Sequence, residues 1–173
     1  LRWNLWFIPL LIIGIRAFNV HKELAFKNQI LWDYANQGGT VIIQYNTSRG
    51  FDSSIMSPYL IKLSRDRVTD ENADVIFLKK DHPLLNEPNK ITEKDFKGWV
   101  QERGLYFANE WDERYQSLFS MSDKGEKSNK GSLLAANYGK GKIIYTGLSF
   151  FRELPSGVPG AYRLFINLIS FGQ

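Results

Sequence analysis

A helix-like stretch ends at Gly38-Gly39, and a β-branched run, Thr40-Val41-Ile42-Ile43, follows at once before polar Gln44-Tyr45-Asn46-Thr47 and the turn Ser48-Arg49-Gly50. This is the most constraining stretch of the chain. Two glycines can end a helix in the left-handed region, and the β-branched run after them, bounded by turn residues, reads as a buried strand over Val41–Tyr45. Upstream, Leu10–Ile15 reads as a first strand, buried and central in its sheet. Val20–Asn36 reads as a helix with Asn19 as its N-cap and Leu24, Leu31 and Tyr34 or Ala35 toward the sheet. Strand, helix and strand in that order predict a right-handed parallel βαβ unit. In an open α/β sheet the carboxyl ends of such strands carry the ligand, so Gln44, Tyr45 and Asn46 are candidate binding residues.

The middle of the chain is less regular. Leu60–Leu63 and Val75–Leu78 read as short strands. Asp81–Leu85 reads as a turn into a helical piece, and Thr92–Phe96 as a capped helical start. Gly98–Val100 and Gly104–Phe107 read as strand ends, and Asp123–Gly131 as a polar loop. Ser132–Tyr138 and Lys142–Leu148 flank Gly139-Lys140-Gly141 and predict a β-hairpin, followed by a closing helix over Gly160–Ile169. The whole chain, 1–173, is expected to form one α/β domain, with residues 1–9 an atypical N-terminal segment.

The chain has no cysteine, so disulfides, thiolate metal ligands and cysteine nucleophiles are excluded. Compartment stays open between cytoplasm and periplasm. The apolar stretch Leu5–Ile15 is shorter than the roughly 20 residues that a membrane span needs. No small-x-small cleavage site follows it, and no membrane association is expected. The chain opens on Leu1 rather than Met, as a piece of a longer protein would. Its 22 basic and 18 acidic residues are interspersed, without a basic stripe, so nucleic acid is not an expected partner.

Several blocks together resemble one family. They are Arg16–Asn19, Gly38–Thr47, Ser64–Glu71, Asp81–Leu85, Pro88–Thr92, Asp95–Phe107, Trp111–Tyr115 and Tyr138–Tyr162. The chain from Gly14 onward is similar to the glutamine-amidotransferase-like domain found C-terminal to PIG-L (LmbE-type) de-N-acetylases. More distantly it resembles ThuA-like proteins, through Gly38-Gly39, His82-Pro83 and Asp112-Glu113-Arg114-Tyr115. The resemblance implies a flavodoxin-like, class I amidotransferase-like three-layer sandwich. Its sheet would be mainly parallel, with an antiparallel hairpin near the C-terminus and without the usual first βαβ unit. It also implies a carbohydrate ligand and, as partner, a de-N-acetylase domain or a second copy.

Amidotransferases place a cysteine after the strand and a His and Glu later, because the thiol needs a base. Here Tyr45 or Asn46 stands at the nucleophile position, and Phe150-Phe151-Arg152-Glu153 keeps a glutamate without a histidine. A degenerate, non-catalytic accessory domain is the leading expectation. The alternative is a hydrolase or sugar-modifying enzyme, with Glu102, Asp112, Glu113 and His82 as catalytic candidates. Arg16, Arg103 and Glu153 join Gln44, Tyr45 and Asn46 as ligand-binding candidates, since guanidinium and aromatic groups beside carboxylates suit a polar ligand such as a sugar. Ser48, Ser53 and Ser54 lack a Gly-x-Ser-x-Gly elbow and read as turn residues. No metal site or cofactor is expected, since His21 and His82 are the only histidines and lack ligand spacing.

Overall fold

The computed structural model describes residues 10–172, and its centre is a five-stranded sheet. β1 (Leu10–Ile13) leads through α1 (Ala17–Val20) and α2 (Lys22–Asn36) into β2 (Thr40–Gln44). Six short strands follow: β3 (Ile61–Leu63), β4 (Arg67–Val68), β5 (Val75–Phe77), β6 (Gly104–Leu105), β7 (Ala108–Trp111) and β8 (Gln116–Ser117). Then come β9 (Phe119–Met121), β10 (Leu133–Tyr138), β11 (Gly141–Thr146), α3 (Phe150–Glu153) and α4 (Pro159–Ser170). The sheet order is β1-β2-β11-β10-β8, with β1, β2 and β11 mutually parallel and β10 antiparallel to both its neighbours. Three two-stranded antiparallel pairs, β3 with β7, β4 with β6 and β5 with β9, surround it. The protein is thus a mixed α/β fold with a mainly parallel central sheet and a C-terminal hairpin.

Strand alternation splits the core into two layers. Val41 and Ile43 of β2 join Ile143 and Tyr145 of β11 and pack on Trp32 and Ala35 of α2. Ile42 and Ile144 point the other way, into a layer with Leu164 and Leu168 of α4 and the aromatic cluster Phe96, Trp99, Phe107, Phe119 and Phe150. Within that cluster Phe77, Phe96 and Phe119 meet edge to face.

Glycine is required where helix meets strand. Gly38 sits at φ 122°, and a Cβ on Gly39 would fall 2.1 Å from the Tyr34 ring. The aromatic ring that buries the end of α2 therefore lies directly on the chain as it turns into β2.

Two features depart from expectation. Among the described strands β1 lies at the edge of the sheet rather than in its centre, it stops at Ile13, and Ile12 is 42% exposed. An apolar run records burial of side chains, not which strands flank it, and order here follows from β11 taking the inner side of β2. The expected helix is also two pieces, broken at an extended His21, and Asn19 caps nothing. Its side chain instead accepts from Thr47 N at 2.8 Å and donates to Thr47 O at 3.1 Å. That two-way amide bridge ties α1 to the chain leaving β2. The expectations for residues 1–9 lie outside the described residues. No helix among the described residues is long and apolar enough to cross a membrane.

Candidate functional site at the carboxyl ends of the strands

The parallel strands β1, β2 and β11 finish at the same edge of the sheet. Arg16 follows β1, Tyr45 follows β2, and the segment 147–153 follows β11. Arg16 adopts φ 56°, and its N–H donates to Tyr45 O at 2.8 Å. Tyr45 is 8% exposed, and its ring stacks on Tyr106 (centroids 5.7 Å, 13° between planes) and tilts against Phe151 at 5.3 Å. Burial pushes the Tyr45 phenol above its ordinary range, with Arg16 pulling the other way.

The segment 101–107 brings Tyr106 to this edge. Leu105 N donates to Gly147 O at 2.9 Å, and a Cβ on Gly104 would fall 2.3 Å from that same carbonyl. Only a glycine lets the two backbones approach so closely. Tyr106 adopts φ 53°, and its carbonyl accepts from the Tyr145 hydroxyl at 2.5 Å. Full burial keeps that phenol protonated as the donor. Gln101 is also at positive φ, with its N–H on the Glu71 carboxylate. The three non-glycine residues at positive φ among those described, Arg16, Gln101 and Tyr106, thus all lie in segments that build this edge. Such conformations cost of order 1–3 kcal/mol each and gather at functional sites.

The charged candidates are mostly committed to one another. Glu102 accepts from Arg152 Nε at 2.7 Å, and the Arg152 guanidinium lies 4.9 Å from the Phe151 ring centroid. Glu153 is fully buried and accepts from Val100 N at 2.9 Å. Ser149 Oγ stands 3.1 Å from Glu153 Oε1 and 2.7 Å from Glu102 O. One hydroxyl carries one proton, so both contacts are met only if Glu153 is protonated and donates to Ser149. Burial raises the Glu153 carboxyl above its ordinary 4.5, in the direction this chain of bonds requires. A carboxyl raised in the fold stabilises it fully below the unfolded value, and that contribution is lost as pH rises through the folded value. Urea unfolding of wild type and Glu153→Gln is therefore expected to shift in favour of wild type as pH falls from neutrality to 4.5. A gap that moves the other way would show that the fold favours ionised Glu153, and a flat gap that folding leaves its titration unshifted.

Three expected ligand residues prove to be structural. Asn46 is fully buried, with Oδ1 accepting from Phe18 N at 3.0 Å at the start of α1 and Nδ2 donating to Gln44 O. Arg103 is 5% exposed and spends its guanidinium on the Ala73 and Phe96 carbonyls. Glu153 is enclosed as described. Arg16 and Tyr45 remain at the edge, Gln44 ends β2 beside Thr146, and Tyr106, Phe151 and Arg152 complete the set. Tyr106 carries no motif that marks it. It reaches the site only through the Gly104–Gly147 approach, which no local pattern announces.

The four catalytic candidates do not gather. Glu102 is at the carboxyl edge in its ion pair. Asp112 chelates Arg114 (Oδ2 to Nη2, 2.5 Å), which holds the carboxyl down at about 2. Arg114 in turn covers Tyr59, which meets Tyr138 at the opposite end of the sheet. Glu113 is exposed. His82 lines a cavity with Lys142, also at that far end. Among the described residues no three His, Asp or Glu side chains gather as a metal site. Ser53 Oγ donates to Ile61 O and accepts from Leu63 N, a turn role.

No family model and no curated protein matches this chain. Solved structures do match it in fold. The cytoplasmic protein STM3548 from Salmonella typhimurium superposes with a TM-score of 0.55 at 13% identity, over 94% of this chain and 70% of its own. The cytoplasmic protein STM1381 from Salmonella typhimurium LT2 gives 0.54 at 12%, over 93% and 70%. A β-galactosidase from Rahnella sp. R3 gives 0.48 at 14%, over 92% of this chain and 23% of its own. At these identities the first two likenesses are of fold alone.

Proposed function

We propose that the chain is a non-catalytic, amidotransferase-like domain of the flavodoxin-like class, accessory to a PIG-L/LmbE-type de-N-acetylase, and that it binds carbohydrate at the carboxyl edge of its sheet. The observation that carries this reading is Tyr45. The resemblance puts the amidotransferase nucleophile at Tyr45 or Asn46, and Tyr45, directly after β2, is packed on Tyr106 and Phe151 instead of facing a base. Aromatic faces flanked by Arg16 and the Glu102–Arg152 pair suit a ring with polar edges. The family resemblance supplies the partner, and the chemistry of a de-N-acetylase supplies the ligand class, an N-acetylated sugar.

N-acetylglucosamine oligosaccharides titrated into the protein should perturb the Tyr45 and Tyr106 ring resonances saturably. Tyr106→Ala should weaken binding by about tenfold, the loss of one stacked aromatic surface, about 1.4 kcal/mol. Glutamine hydrolysis by the purified protein, or titrations that leave both rings unmoved, would sink the proposal.

A further inference from the structure

A cavity of about 560 Å³ lies at the opposite, amino end of the parallel strands, lined by residues that the carboxyl edge does not use. Lys142 at the start of β11 and Asn137 near the end of β10 form one wall, and the loop Lys79–Pro83 forms the other. The loop is held in shape. Asn86 Nδ2 donates to Lys80 O at 2.8 Å and His82 O at 3.0 Å, and His82 N donates to Lys79 O at 3.0 Å. His82 is 9% exposed, packed against Phe171 at 5.3 Å between centroids. Its Nδ1 accepts from Leu84 N at 3.2 Å, so the neutral ring carries its proton on Nε2. Burial first, then Lys142 and Lys79, hold the imidazole below its ordinary range and in that neutral form. Lys142 is positioned too, with Nζ donating to Asn137 Oδ1 at 2.6 Å and lying 5.3 Å from the Phe171 ring centroid. That contact leaves Asn137 Nδ2 as a donor.

We infer that this cavity binds the phosphate of a small phosphomonoester. Its wall offers Lys79, Lys80, Lys142, the His82 Nε2–H and the Asn137 amide as donors, with Asp81 its one carboxylate. Three ammonium groups against one carboxylate leave two positive charges, the complement of a phosphomonoester carrying about −1.5 to −2 at neutral pH. Lysine serves phosphate as a point charge and needs no bidentate geometry. The cavity exceeds a phosphate in volume, and Leu78 and Phe171 give the remainder an apolar side suited to an organic group. A monocarboxylate ligand would leave one of the two positive charges unmatched.

The test is titration of the whole chain with inorganic phosphate, glucose 6-phosphate and glucose, following the His82 ring resonances. Both phosphates are expected to shift them saturably, and glucose is expected to leave them in place. Bound phosphate should also raise the His82 titration, because an anion at Nε2 favours the imidazolium over the neutral ring. The double variant Lys79→Gln/Lys80→Gln alters two exposed side chains. It should weaken phosphate binding by about tenfold or more while leaving N-acetylglucosamine binding at the carboxyl edge unchanged. Glucose 6-phosphate binding more tightly than free phosphate identifies the organic ester as the ligand source, and equal affinity identifies the phosphate group alone; either supports the site. The inference falls if neither phosphate shifts His82, if glucose shifts it equally, or if the double variant binds phosphate as wild type does.

Discussion

Arg103→Met is expected to cost about 3 kcal/mol or more of unfolding free energy, read as a lowered urea midpoint at unchanged slope. The guanidinium is buried and joins the chain at Ala73 to the chain at Phe96, while the backbone of the same residue ties in Val68 and Ser149. Nε and Nη2 donate to Ala73 O at 3.0 and 2.8 Å, and Nη1 donates to Phe96 O. The backbone of the same residue donates to Val68 O and accepts from Ser149 N. The Phe96 and Trp99 rings lie within 5.7 and 5.8 Å of its central carbon. Burial lowers its affinity for the proton, and the carboxylates Asp70, Asp74 and Glu71 oppose that. Methionine keeps most of the volume, so the loss reports the polar contacts. Two buried carbonyls lose a charged donor, and each unmet group costs about 1–3 kcal/mol. Arg103→Lys should recover only part, because one ammonium cannot span both carbonyls as the fork does. A cost below about 1 kcal/mol for Arg103→Met would mean that water replaces the guanidinium at both carbonyls.

Arg103 also shows where the sequence stops being informative. A buried arginine and a ligand-binding arginine look alike in a chain, since both stand among aromatics and carboxylates. What separates them is whether carbonyls from distant segments converge on the guanidinium, and Ala73 lies 30 positions away. The regular elements were legible for the opposite reason. Gly38-Gly39, the β-branched run and the Gly139–Gly141 turn act within a few residues, so β2, β10, β11 and α4 fall close to their expected bounds. Edge placement of β1 was illegible because strand order is a long-range outcome. At the site, Tyr45 and Arg16 were visible as the ends of strands. Tyr106 was not, because the glycine pair that delivers it, Gly104 and Gly147, is separated by about a quarter of the chain. Asn19 and Asn46 misled in a similar way. Each has a short amide side chain that can cap a helix, bind a ligand or bridge two backbones, and only the fold decides which.

Gly160→Ala gives the other large expected effect, and its sign opposes helix propensity. Gly160 lies in the first turn of α4, where alanine should gain up to about 1 kcal/mol if the helix surface were free. It is not free. A Cβ there would fall 1.9 Å from Asp95 O and 2.4 Å from Asp95 C, backbone atoms that no rotamer change can move. The same carbonyl accepts from Trp99 Nε1 at 2.9 Å, while the Asp95 carboxylate receives Thr92 N and Arg163 Nε at 2.8 Å each. A methyl at 160 must therefore push α4 off the 93–96 turn, loosening the Trp99 bond and the Arg163–Asp95 ion pair together. Overpacking of this kind costs typically 1–3 kcal/mol, and we expect the upper end, about 3 kcal/mol net of the propensity gain. Gly14→Ala is the control. Nothing lies within 4 Å of its Cβ position and its φ is not positive, so that substitution should be near neutral. The consequence reaches the carboxyl edge. The 93–96 turn leads directly into Trp99, Arg103 and the segment that carries Tyr106 onto Tyr45. Gly160→Ala protein that still folds should show weaker Tyr45–Tyr106 stacking by ring-current shifts. Destabilisation with the ring shifts unchanged would mean that α4 supports the core and leaves the edge to the Gly104–Gly147 contact alone.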